Sequence, residues 1–119
     1  MPVRRMKTYS GDSGLVYQYY FLQSRTRRRL LGRSSTSFLF RVSSDRKTSF
    51  VVEVVVEESA VARWEKSHDR PLGDAEKYAA AKMRLFRAFD ESSRPEELVH
   101  IRVSASNIES VLAPLHLDE

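Results

Sequence analysis

No cysteine occurs in the chain. That excludes a disulfide framework and every thiolate metal site, and it accords with a reducing cytosol. Only four glycines are present, and none falls in G-x-G-x-x-G or a Walker pattern, so no phosphate-cradling loop of those kinds is encoded. Apolar runs are short, and none approaches the ~20 residues that cross a bilayer as a helix. The basic start, residues 1–7, leads into no apolar stretch and does not read as a secretory signal. A cytoplasmic protein without a membrane span is expected. His68, His100 and His116 are the three histidines. They share no helical metal-pair spacing and have no cysteine to assist them, so neither a metal nor a cofactor is expected.

What is present reads as one ordinary globular unit. A chain of 119 residues, 41% hydrophobic and 30% charged, suits a single domain spanning 1–119 with one core. The most apolar stretch is 50–56, Phe-Val-Val-Glu-Val-Val-Val. Branched valines favour a pleated strand over a helix. Phe50, Val52, Val54 and Val56 fall on one face, and Val51, Glu53 and Val55 on the other. Such a strand must recruit neighbours on both sides, because its side chains gain free energy only when covered.

Taken in order, residues 1–13 are polar and basic and predict a poorly ordered lead-in. Alternation predicts strands over 15–23 and 36–42, with a protruding arginine-rich loop over 24–35 between them. A polar turn over 43–48 leads into the valine strand. The period then changes to that of a helix. Ala60, Val61 and Trp64 share a stripe in a helix over 59–68, and Pro71 and Gly73 separate it from the next. Residues 74–91 hold alanine-rich helix formers, no glycine or proline, and acids in the first turn. Their apolar stripe runs through Tyr78, Ala81, Leu85, Ala88 and Phe89. A strand over 98–103 follows. Ser106 and Glu109 then stand at capping-box spacing before a short helix through Ile108, Val111 and Leu112. The order β-β-β-α-α-β-α predicts an α+β fold: a three- to four-stranded, mostly antiparallel sheet with helices on one face.

Signals for catalysis are thin. Gly11-Asp12-Ser13-Gly14 spells the tetrapeptide around the nucleophile of chymotrypsin-like serine proteases, yet no histidine or aspartate precedes it. It reads as a turn. The acid pairs Glu57-Glu58, Asp90-Glu91 and Glu96-Glu97 are sequence neighbours, which usually point apart into water. An enzyme is therefore the weakest of the functional classes.

Charge is the strongest functional signal. Residues 1–52 carry eleven Arg and Lys against Asp12 and Asp45, while the remainder is net acidic. No acid occurs between Ser13 and Ser44, a span that holds Arg25, Arg27, Arg28, Arg29, Arg33 and Arg41. Guanidinium groups pair bidentately with phosphates and stay charged. Tyr17, Tyr19, Tyr20 and Phe21 precede the loop and place aromatic rings near these cations, as a single-strand stacking platform would. The favoured reading is a small non-catalytic module that binds DNA or RNA phosphates through Arg25, Arg27, Arg28, Arg29, Arg33, Arg41, Arg46 and Lys47. The alternative is a protein-interaction or assembly domain, with Leu30 and Leu31, or Val51 and Val55, buried against another protein or a second copy in a homo-oligomer.

Overall fold

A computed structural model describes residues 5–28, 34–92 and 94–118 of the chain. It is α+β, with a curled, mixed five-stranded sheet and three helices. The strands are β1 (Lys7–Ser10), β2 (Val16–Arg27), β3 (Ser35–Ser43), β4 (Phe50–Glu57) and β5 (His100–Val103). They lie side by side in chain order; β1 to β4 form an antiparallel meander and β5 pairs parallel to β4. A parallel neighbour requires a long crossover. Helices α1 (Glu58–His68) and α2 (Asp74–Glu91) supply it. Helix α3 (Ile108–Leu112) follows β5, and no helix among the described residues is long and apolar enough to cross a membrane.

One face of the sheet and the helices make the core. Val52, Val54 and Val56 of β4 are fully buried, as are Phe40 and Val42 of β3 and Leu85 and Phe89 of α2. Each such side chain contributes about 1.5–3 kcal/mol by leaving water. Aromatic rings join the layers. Tyr17 stacks on Phe89 at 4.0 Å and Tyr9 on Phe86 at 4.4 Å, while Phe21 meets Tyr78 edge to face at 5.0 Å. Trp64 of α1 is buried in the same cluster. The stripe expected for α2 is the one that packs, with Tyr78 half-buried at its edge.

Three segments differ from the expectation. Residues 7–13 are strand and turn rather than a loose lead-in; residues 1–4 lie outside the described residues. Their order comes from distant partners. The Tyr9 hydroxyl donates to Asp90 at 2.8 Å, the Asp12 N–H donates to the same carboxylate at 3.0 Å, and the Ser13 hydroxyl donates to the Phe89 carbonyl at 3.2 Å. Burial, then the hydrogen bond to Asp90, pushes the Tyr9 phenol up to about 12. Gly11 sits so close to α2 that a Cβ would come within 2.7 Å of the Phe89 carbonyl oxygen. Ser13 is thus part of the β1–β2 turn that closes the C-terminal end of α2.

The second difference is the hairpin. Residues 24–27 and 35 belong to β2 and β3, so five of the seven described residues of the expected loop are strand; residues 29–33 lie outside the described residues. Its alternation was hidden because one face is hydroxyl and the other guanidinium, with no apolar marker on either. A register shift between Phe21 and Gln23 also reverses the parity of β2. Beyond it Ser24 and Thr26 join Phe38 and Thr36 on the helix side, while Gln23, Arg25 and Arg27 pass to the opposite side. The capping box expected at Ser106 and Glu109 does not form. Asn107 caps the turn by accepting the Ser104 N–H at 2.8 Å, and Glu109 turns instead to His68.

Candidate nucleic-acid interface

The open face of the sheet is best followed as rows of side chains running across the strands. The first row is Tyr20, Arg41 and Val51; the second is Gln23, Leu39, Glu53 and His100. The third is Arg25, Ser37, Val55 and Arg102, and the fourth is Arg27, Ser35 and Glu57. Strand alternation and the β2 bulge together put these residues on one side. The sheet curls, and Ser37 and Leu39 at the centre of this face are buried.

The face divides into two electrostatic halves. On β4 and β5 each acid has a basic partner: Glu53 meets His100 at 3.0 Å, and Glu57 meets Arg102 at 3.4 Å. The Ser37 hydroxyl bonded to Glu53 does most to hold that carboxyl below its usual range; His100, then Arg27 and Arg25, add to this against the opposing effect of burial. On β2 and β3 the cations are not balanced in this way. Among the described residues, no ion pair engages Arg25, Arg27, Arg41, Arg46 or Lys47.

At the far end of this half a hollow of about 230 Å³ is lined by Gln18, Tyr20, Arg41, Arg46 and Lys47, among others. Arg41 is steadied there by donating to the Ser49 hydroxyl at 3.1 Å. Arg46 and Lys47 are positioned by the β3–β4 turn, whose Asp45 carboxylate accepts the N–H groups of Lys47 and Thr48, each at 2.8 Å. Those bonds, Thr48 first, bring Asp45 down to about 2.

The cations singled out from the sequence are therefore not one loop cluster. Arg25 and Arg27 stand on the open face near the hairpin end, while Arg28 lines a cleft on the helix side. Arg41 lies four strand steps along β3 from the partner of Arg25 and six from that of Arg27, roughly 13–20 Å, with Arg46 and Lys47 beyond it in the β3–β4 turn. Arg29, Leu30, Leu31 and Arg33 lie outside the described residues. Of the four aromatics, Tyr17, Tyr19 and Phe21 belong to the core and the helix side, where they pack on Phe89, Phe86 and Tyr78. Tyr20 alone shares the open face with the arginines. Val51, 37% exposed, and Val55 also lie on this face. Sequence reasoning missed the pairing of His100 and Arg102 with Glu53 and Glu57, since parallel neighbours about forty-five residues apart leave no local trace.

A second polar cluster lies away from the sheet. His68, at the end of α1, stacks on Trp64 at 4.1 Å; its Nε2 meets Glu109 at 2.8 Å and its Nδ1 meets Asp118. The hydrogen bond to Glu109 does most to raise the imidazole above its ordinary value; Asp118 adds to this, and burial opposes it.

Neither a protein-family model, nor a curated protein, nor a solved structure matches this chain.

Proposed function

We propose that the protein is a non-catalytic module that binds single-stranded nucleic acid along the β2–β3 half of its open sheet face. The observation that carries this reading is the row geometry: Arg25, Arg27 and Arg41 share a face with Tyr20, and Arg46 and Lys47 extend it. Cations spaced along two strands match a backbone that runs lengthwise, and a tyrosine among them offers a base a stacking surface. Of the neighbouring acids Glu57 already holds Arg102, and among the described residues no ion pair engages Arg25, Arg27, Arg41, Arg46 or Lys47, so these five cations outnumber the acids beside them. Single strands suit this surface better than a duplex, because no helix or protruding ribbon among the described residues is placed on this face to enter a major groove.

Val51 supports a second reading, in which this face is an interface with another protein or a second copy. It is the weaker of the two. The apolar part of the face is small, with Leu39 already buried and Val51 only partly exposed.

Salt separates the readings. A labelled single-stranded oligonucleotide is titrated across a salt series into wild type and into the triple variant Arg25→Ala/Arg27→Ala/Arg41→Ala. Phosphate contacts predict a log K against log salt slope of about 0.7 per contact, so the triple variant should lose about two units of slope. Equal slopes, with a dimer by sizing that dissociates on Val51→Lys, would replace this proposal with the association reading.

A further inference from the structure

Beside the β2 arginines the open face curls into a trough of about 570 Å³, lined by Arg27, Ser35, Glu57, Ser59, His100 and Arg102 among others. Its acids are already engaged. Glu57 holds Arg102 at 3.4 Å through Oε2, while Glu53 accepts from the Ser37 hydroxyl and meets His100 Nδ1 at 3.0 Å. Hydrogen-bonding capacity remains open. Among the described residues no hydrogen bond engages the Ser35 or Ser59 hydroxyl, and Glu57 keeps its Oε1 for a further donor. Two carboxylates disfavour a phosphate in the trough. A sugar hydroxyl suits it, since it can donate to a carboxylate and accept from a serine.

The register sets these groups in a definite order. Arg25 and Arg27 stand two residues apart on β2, roughly 7 Å, and each can take one of two successive phosphates. Arg27 is followed across the sheet by Ser35 on β3 and Glu57 on β4; Arg25 is followed by Ser37, Val55 and Arg102. Strands lie about 4.8 Å apart, so β2 to β4 spans roughly 10 Å. A nucleotide laid across them has its phosphate at Arg27, its sugar over Ser35 and Glu57, and its base beyond, toward Val55, His100 and Arg102. That is its covalent order. The His100 side chain is 72% exposed and fixed through Nδ1 by Glu53, and imidazole and guanidinium planes both stack RNA bases. Deoxyribose has no hydroxyl to offer Ser35 and Glu57 at this point, whereas ribose does.

We propose that the single strand bound by this face is RNA, recognised at its ribose 2′-hydroxyl by Ser35 and Glu57. This specificity rests on the nucleic-acid reading of the same face and adds to it the sugar that is accepted.

The test compares a labelled oligouridylate with the oligodeoxyuridylate of equal length, which differs from it only at the 2′ position. Wild type should bind the RNA about tenfold more tightly at one salt concentration, with similar salt slopes for the two. Ser35→Ala should remove most of that ratio and leave both slopes unchanged, because it touches no phosphate. With wild type, 2′-O-methylation removes the donor to Glu57 and should bring the RNA close to the DNA. Equal or tighter binding of the DNA would overturn RNA recognition and leave the nucleic-acid reading in place. So would an RNA preference that survives Ser35→Ala or 2′-O-methylation. Binding of neither oligonucleotide at low salt would overturn both.

Discussion

The two faces of β4 are built from the same residue type and live in different solvents. Val52, Val54 and Val56 are fully buried under the helices, whereas Val51 is 37% exposed and Val55 partly so. The difference is not in the valines but in what stands opposite them. On one side α1 and α2 return across the sheet with Trp64, Leu85 and Phe89. On the other the neighbours are Arg41, Ser37 and Arg102. Stability is therefore concentrated on one face, which leaves the other free to carry charge.

The sharpest way to break this comparison is a cavity under the helices. Leu85→Ala should destabilise by about 2–5 kcal/mol in denaturant unfolding, against less than about 0.5 kcal/mol for the exposed Lys66→Ala. Similar midpoints for the two would mean that α2 buries a different face. A finer cut stays within one strand. Val54→Ala should cost about 2 kcal/mol and Val51→Ala less than about 0.5 kcal/mol, because only the first leaves a hole. If Val51→Ala costs as much, the open face is covered in solution, and the association reading gains what the nucleic-acid reading loses.

The smallest effect expected is electrostatic and lies outside both faces. The raised value of His68 means that the folded state binds its proton more tightly than the unfolded chain does, whose value is near 6.5. That contribution is complete below about pH 6.5 and is lost as pH rises through the folded-state value. Glu53 has the opposite sign: its lowered carboxyl stabilises above the ordinary glutamate range and ceases to do so on acidification. Trp64 is the only tryptophan and stacks on His68, so its emission should titrate above pH 6.5 in wild type and lose that transition in His68→Gln. An unchanged transition in the variant would show that His68 is not the group responsible.

How far the sequence reached can be judged residue by residue. The period-2 run at 50–56 and the 3.6-residue stripe of 74–91 are legible because each marks its buried side with large apolar groups, and burial is the dominant favourable term in folding. Those patterns determined an α+β fold, the core of α2, and the two faces of β4. Composition likewise determined where the positive charge lies along the chain. Four things were decided only in three dimensions. Lys7–Ser10 became a strand because Asp90 and Phe86 wait for Tyr9 some eighty residues away. The bulge after Phe21 sent Arg25 and Arg27 to one side and Ser24 and Thr26 to the other, and a half-turn of the chain leaves no compositional mark. The parallel docking of β5 gave Glu53 and Glu57 their partners. Glu109 turned from its expected cap to His68 because α3 packs against α1. Periodicity reports which side of an element is covered; which charges then face each other depends on register and packing, which no local window contains.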